Sequence, residues 1–112
     1  MSYSDESKQR LLGVPRETLQ KHGAVSAQAA VAMAVGVRER TGSSVGLAVT
    51  GIAGPGGGTP GKPVGLAYVA VADAAGHDAQ RHTWQGDRSA NKLESARAVL
   101  QLVLDRLGEG TR

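Results

Sequence analysis

The sequence predicts one layered α/β domain, in which helices pack on a mixed β-sheet. Three observations predict this fold class. Helix signals fill the chain before Gly42, a buried strand and a hairpin pattern follow, and a long amphipathic segment comes last. The 112 residues show no second composition block, so we expect residues 1–112 to form a single domain.

The chain before Gly42 carries matched start and stop signals for three helices. Each begins at a residue favoured at helix N-termini, namely Ser4, Pro15 and Ser26. Each ends at a glycine, namely Gly13, Gly23 and Gly42. In the third helix apolar residues recur three and four positions apart, so we expect it to bury one face.

The second half of the chain predicts three short strands. Residues 45–50 and 66–72 are apolar runs, and residues 80–84 alternate as the returning arm of a hairpin. Residues 73–76, Asp-Ala-Ala-Gly, suit the turn between the last two strands. Three strands make a thin sheet for a layered domain, so we expect its edge to be incomplete.

The last predicted helix spans residues 89–107. Its apolar residues fall on one broad face, which is the pattern of a helix packed against a core. That face consists of Leu93, Ala96, Leu100, Val103, Leu104 and Leu107.

The composition argues against several classes of protein. There is no cysteine, which excludes disulfides and thiolate metal sites and fits the reducing cytoplasm. We expect no signal peptide in residues 1–6, and no membrane span, because apolar runs stay well short of roughly 20 residues. The histidines are scattered over unrelated elements, with no cluster of acids or thiols near them, so we expect no metal site. They are His22, His77 and His82.

The net charge of +3 is distributed along the chain, with ten acidic residues among the thirteen Lys and Arg. Nucleic-acid binding is the weakest hypothesis, because no basic run is present and aromatic residues amount to only 3%. A small anionic ligand accounts for the charge equally well.

Residues 51–65, rich in glycine and proline, are the most informative segment. A buried strand that leads into Thr50-Gly51-Ile52-Ala53-Gly54 presents backbone N–H groups at a strand end, where open α/β sheets bind ligands. Glycine lets a phosphate or carboxylate approach the backbone closely. The alternative is a long flexible connection, but compact domains seldom keep such loops without a function.

Two phosphate-binding motifs match this segment in sequence, but the structural context that each motif requires is missing. Residues 56–61 satisfy G-x-G-x-x-G, but Pro60 lies inside the motif and Pro63 follows it, so no helix opens there. The same stretch resembles a P-loop, yet Pro63 stands where Ser or Thr would hold magnesium.

Lys8 and Arg88 are further candidates. Lys8 lies one helical turn after Ser4, and a lysine beside a hydroxyl in a dry pocket can act as a base. The plainer interpretation is a solvated lysine on a helix led by acids. Asp87 suits a helix N-cap, which places Arg88 at a helix N-terminus, where anions are favoured. The plainer interpretation is that both residues only begin the helix.

Together these segments resemble the CinA C-terminal domain family. The matching stretches run in order: Tyr3-Ser4 with Lys8, Leu12-Gly13-Val14, Glu17-Thr18-Leu19, His22-Gly23-Ala24-Val25-Ser26, residues 50–55, Lys62-Pro63-Val64-Gly65 and Gly86-Asp87-Arg88. The loop Gly-Ile-Ala-Gly-Pro followed by Lys-Pro-Val-Gly is the most specific pair. The sequence departs from the family at Asp5, where Asn is usual, and at residues 56–58, where Asp-Gly-Gly is common.

The resemblance implies a three-layer α/β/α domain on a mixed five-stranded sheet, of the anticodon-binding-domain-like type. It also implies hydrolysis of the carboxamide of nicotinamide mononucleotide to nicotinate mononucleotide and ammonia, without a metal or cofactor. By position, Lys8 matches the base that serves the nucleophile, and Tyr3 matches its neighbouring tyrosine. The substrate-holding loop matches Thr50, Gly51, Ile52, Ala53 and Gly54, and Arg88 resembles a phosphate-side arginine.

Family members carry the nucleophilic serine in an Ala-Glu-Ser-Cys-Thr-Gly-Gly segment upstream of the Tyr-Ser motif. Here Met1 falls where the strand before Tyr3 is expected, so we expect about two of the five strands and the nucleophile to be absent. An amidase-family domain that is inactive alone and a catalytically dead nucleotide-binding or assembly module are both compatible with this. An incomplete sheet edge also predicts a homo-oligomer.

Overall fold

A computed structural model describes residues 15–52 and 56–110, with side chains of the last helix described as far as residue 106. Its helices are α1 (Arg16–His22), α2 (Ala27–Thr41) and α3 (Arg88–Gly110). Its strands are β1 (Gly46–Gly51), β2 (Leu66–Asp73) and β3 (Gly76–Thr83). The helix predicted between Ser4 and Gly13 lies outside the described residues.

The strands form a sheet in the order β1-β2-β3, with helices on both of its faces. On one face Met33 and Ala34 of α2 pack on Ala70 of β2, and on the other Val99 and Leu102 of α3 pack against β2. This is the three-layer α/β architecture that was predicted. Both pairings among the described strands are antiparallel, so these strands alone do not form the mixed sheet that was expected.

The helix boundaries follow the predicted signals closely. The Ser26 hydroxyl accepts a hydrogen bond from the Ala29 N–H at 3.1 Å and caps α2. Gly42 ends α2 at a φ of 66°, and Gly23 ends α1 at a φ of 78°, values that favour glycine. Pro15 stands one position earlier than predicted, at the N-cap of α1 rather than inside it.

The apolar face predicted for the last helix is wrong, because most of it points to solvent. Leu93, Leu100 and Leu104 are 53%, 57% and 61% exposed. Among the side chains of α3 that are described, those of Asn91, Ser95, Val99 and Leu102 are buried. Of the other predicted positions, Ala96 is exposed, Val103 is partly buried against the core cluster that β2 and α3 form, and the side chain of Leu107 is not described.

Hydrogen bonding explains why polar residues of α3 are buried in place of leucines. The Ser95 hydroxyl accepts a bond from the Trp84 indole N–H at 2.8 Å, and the Asn91 amide oxygen accepts one from the Gly86 N–H at 3.0 Å. A buried polar group that finds such a partner escapes the penalty of desolvation.

The homo-oligomer expected from the sequence stays a prediction.

An ion pair fastens the β2–β3 turn to the distal part of α3. Arg106 donates to both carboxylate oxygens of Asp73, at 2.6 and 3.0 Å. The same carboxylate accepts bonds from the N–H groups of Ala75 and Gly76. These contacts, above all the hydrogen bond from Arg106, lower the pKa of Asp73 from 3.8 to about 2.

We expect this ion pair to make stability depend on pH between about 4 and 2. The pKa is lower in the folded state, so the contribution is present above the unfolded value of 3.8 and is lost as the pH falls through about 2. Thermal unfolding at pH 7 and pH 2 should show a smaller acid-induced drop in Asp73→Asn than in wild type. Asp78→Asn, on the exposed side of the same hairpin, is the control. Equal drops in all three proteins would contradict the assignment.

Candidate functional site

The segments singled out from the sequence meet at one edge of the sheet, namely the edge at which β1 and β3 end and β2 begins. Because the strands are antiparallel, the end of β1 lies beside the start of β2 and the end of β3, with Gly51 opposite Ala67 and Leu66 opposite Thr83. The glycine-rich loop after β1 and the Gly86-Asp87-Arg88 segment after β3 therefore leave the sheet at the same edge. The connection between α1 and α2 also reaches this edge, through a contact with Thr50.

Thr50 ties the end of β1 to the helices. Its side chain is buried, and its hydroxyl donates to the Ala24 carbonyl oxygen at 2.8 Å. Gly51 follows where a Cβ would lie 2.6 Å from the Leu66 carbonyl oxygen, so only glycine fits without a shift of the backbone. These contacts fix the point at which the loop departs.

Ile52 extends the sheet pairing by one step beyond β1. Its N–H donates to the Leu66 carbonyl at 2.9 Å, and its carbonyl accepts from the Gly65 N–H at 2.6 Å. The N–H of Ile52 is therefore already paired, and N–H groups for an anion must come from further along the loop. Ala53 and Gly54, the next predicted ligand-binding residues, lie outside the described residues.

Lys62 is a residue whose position the sequence did not reveal. Its ammonium group donates to the His22 carbonyl oxygen at 2.7 Å, at the C-terminal end of α1. Its backbone N–H and carbonyl pair with those of Thr59, so residues 59–62 form a tight turn. The prediction that the G-x-G-x-x-G match at residues 56–61 opens no helix is confirmed, since the next element is β2.

Gly65 joins the loop to the end of β3. It adopts a φ of 93°, and its carbonyl oxygen accepts from the Trp84 N–H at 2.9 Å. A Cβ on Gly65 would collide with the carbonyl oxygen of Trp84. The Trp84 indole stacks on the imidazole of His82, with ring centroids 4.6 Å apart.

Arg88 is the first residue of α3, as predicted. The Asp87 carboxylate accepts from the Ala90 N–H at 2.8 Å, which confirms Asp87 as the N-cap. Arg88 is exposed at the sheet edge that the loop also occupies. Tyr3 and Lys8, the predicted catalytic residues, lie outside the described part of the chain, so their roles stay predictions.

The described residues contain no cluster of three or more histidines and acids that could hold a metal ion. Within the same ranges, no helix has the length and apolar character needed to cross a membrane.

The fold and these contacts define a three-layer α/β domain with a candidate ligand loop held at one edge of its sheet. The chain belongs to the CinA C-terminal domain family, whose family model matches residues 1–107.

Relatives and solved structures agree with this family. The chain is 47% identical over 107 residues to a CinA-like protein of Geotalea uraniireducens, covering 96% of this chain and 26% of that protein. It is similar to a CinA superfamily protein from Klebsiella pneumoniae, with a TM-score of 0.90, 32% identity, and coverage of 96% and 67%. A competence/damage inducible protein, CihA, from Agrobacterium tumefaciens matches with a TM-score of 0.84, 38% identity, and coverage of 93% and 64%.

The chain spans about a quarter of the length of the curated relatives it matches. It spans about two thirds of the solved chains.

Proposed function

We propose that this domain supplies the mononucleotide-holding part of a nicotinamide-nucleotide amidase, which hydrolyses nicotinamide mononucleotide to nicotinate mononucleotide and ammonia. The observation that carries the proposal is the loop after β1, which is fastened at its start through Thr50 and at its end through Gly65. A loop held at both ends loses less conformational entropy when it closes on a ligand.

The chemical character of this edge supports a phosphate-bearing substrate. Arg88 begins α3 at the same edge, and a guanidinium group can donate two parallel hydrogen bonds to a phosphate. Glycines at residues 56–58 allow close approach of a ligand to the backbone. Ala53 and Gly54 would supply further N–H groups, in line with the family resemblance.

The catalytic steps rest on the family resemblance for Lys8 and Tyr3. In this proposal Lys8, in its neutral form, takes the proton from a serine hydroxyl, and the serine oxygen attacks the carboxamide carbon. Lys8 then returns that proton to the amide nitrogen, the C–N bond breaks, and ammonia leaves. Water then hydrolyses the acyl-serine to release nicotinate mononucleotide. The serine belongs to the Glu-Ser-Cys-Thr-Gly-Gly sequence of the family, which does not occur within these 112 residues.

We therefore expect the purified 112-residue chain to bind nicotinamide mononucleotide but to release no ammonia above background. Calorimetric titration should give an affinity for the mononucleotide at least about tenfold higher than for nicotinamide riboside, which lacks the phosphate, because hydrogen bonds to charged groups are the stronger ones. Ammonia is measured in the same samples by a coupled assay.

Three outcomes would count against the proposal. Equal affinity for the riboside and the mononucleotide would refute phosphate recognition at this edge. Ammonia release at enzyme-like turnover would mean that a serine of this chain, such as Ser4, acts as the nucleophile. Binding without hydrolysis in a longer form that carries the nucleophile segment would favour the alternative of a catalytically dead nucleotide-binding module.

A further inference from the structure

The structure assigns to Lys62 the role of a positioning residue, which holds the glycine-rich loop in the shape that receives the ligand. This inference rests on the proposed function. Between residue 52 and Gly65 the loop crosses a long glycine-rich stretch, so contacts at its two ends alone leave the middle unconstrained. Among the described residues, the side chain of Lys62 provides the hydrogen bond from the middle of the loop to another element.

The C-terminal end of α1 is a favourable place for a hydrogen bond from a lysine ammonium group. Its acceptor, the His22 carbonyl, lies in the last turn of α1, where carbonyl groups lack partners within the helix and the helix dipole favours cations. At 2.7 Å the bond has the short length of a charge-assisted hydrogen bond.

Gly23 lies beside this contact, and Gly58 brings the loop close to the residues after Lys62. A Cβ on Gly23 would lie 2.9 Å from the Lys62 ammonium nitrogen, and Gly23 also holds a φ of 78° that other residues seldom adopt. A Cβ on Gly58 would lie 2.9 Å from the Val64 N–H nitrogen, so the loop folds back tightly on the residues after Lys62. Lys62 thus links the loop to the C-terminal end of α1, where Gly23 has no side chain to crowd the ammonium group.

The Thr59–Lys62 turn transmits this link to the backbone. Lys62 exchanges two backbone hydrogen bonds with Thr59. Holding the Lys62 side chain against α1 therefore also restricts the backbone of Thr59 and of the neighbouring Gly58. Those residues follow closely in sequence on residues 50–54, which are predicted to hold the substrate. Lys62 would then act on ligand affinity through the loop and not through the chemical step.

The test compares Lys62→Met, Lys62→Arg and Lys21→Met in the 112-residue chain. Methionine keeps the length of the side chain but cannot donate, and arginine restores a charged donor. Lys21→Met removes the same charge from an exposed position near the same end of α1. Hydrogen exchange of residues 50–65 and calorimetric titration with nicotinamide mononucleotide are measured for each variant.

We expect Lys62→Met to raise amide exchange in the loop about tenfold and to weaken mononucleotide binding by about fivefold to tenfold, as for the loss of one charged hydrogen bond. Lys62→Arg should restore most of both, and Lys21→Met should leave both near wild type. The thermal midpoint should change little. In a longer, active form, the Michaelis constant should rise while kcat stays nearly constant.

Equal loop exchange in Lys62→Met and Lys21→Met would overturn the inference. Faster exchange with unchanged affinity would overturn it as well, because the bond would then serve the fold alone. A wild-type chain that binds no mononucleotide, yet loses loop protection on Lys62→Met, would refute the proposed function while leaving the attachment by Lys62 intact.

Discussion

Replacing Gly65 with alanine is expected to lower the free energy of unfolding by about 3 kcal/mol or more. Two effects add at this position. The φ of 93° strains any residue that carries a Cβ, and that Cβ would collide with the carbonyl oxygen of Trp84. Relieving the collision moves the end of β3 away from Gly65 and weakens the 2.9 Å bond between the Trp84 N–H and the Gly65 carbonyl.

Two other glycines separate the contributions. Gly42→Ala meets a positive φ of 66° but no atom within 4 Å, so it isolates the backbone strain, about 1–2 kcal/mol. Gly61→Ala has neither feature and should stay within about 0.5 kcal/mol of wild type. Urea unfolding of the three variants gives the comparison, provided that the slopes agree. If Gly65→Ala loses no more stability than Gly42→Ala, the junction between the loop and β3 is not tight.

The fold was predictable wherever one residue decides the local conformation. Ser26 and Asp87 were recognised as N-caps, and Gly23 and Gly42 as helix ends, because these effects act within a few residues of the chain. β3 was predicted too short at its start, since Gly76 suits a turn and His77 and Asp78 are both polar and exposed, so no apolar alternation marks these residues.

The packing of α3 was not predictable, since it depends on distant hydrogen bonds. Ser95 is buried because it meets Trp84, eleven positions earlier, and Arg106 is held by Asp73, on another element. Hydrophobic periodicity ranks residues by their own polarity and cannot foresee such partners. The leucines were therefore assigned to the core, and three of them are more than half exposed.

The site was predictable as a set of segments but not as a set of contacts. The loop after β1 and the start of α3 were both identified, and the antiparallel register brings them to one edge. Lys62 was noted only as part of a motif, because its bond to the His22 carbonyl spans forty positions. Thr50 was predicted as part of the substrate-holding loop, but the sequence did not show that its hydroxyl donates to the Ala24 carbonyl oxygen.

In a longer form that carries the nucleophile segment, Lys8→Ala is expected to lower kcat by about 10² to 10⁴ and to leave mononucleotide binding nearly unchanged. The reason is that a general base acts on the proton transferred in the transition state and contributes little to the ground-state complex. Lys8 lies outside the described residues, so this expectation rests on the family motif Tyr3-Ser4 with Lys8.

Arg88→Ala is expected to do the reverse in the same protein, raising the Michaelis constant about tenfold or more with kcat nearly intact. A phosphate contact made equally in the ground and transition states contributes to binding alone, and a charge-assisted hydrogen bond is worth roughly this factor. Lys92→Ala, an exposed lysine in the first turns of α3, removes the same charge as a control. Steady-state kinetics of ammonia release give both parameters.

A value of kcat near that of the wild type in Lys8→Ala would refute Lys8 as the base. An unchanged Michaelis constant in Arg88→Ala would show that Arg88 only begins the helix and does not contact the phosphate.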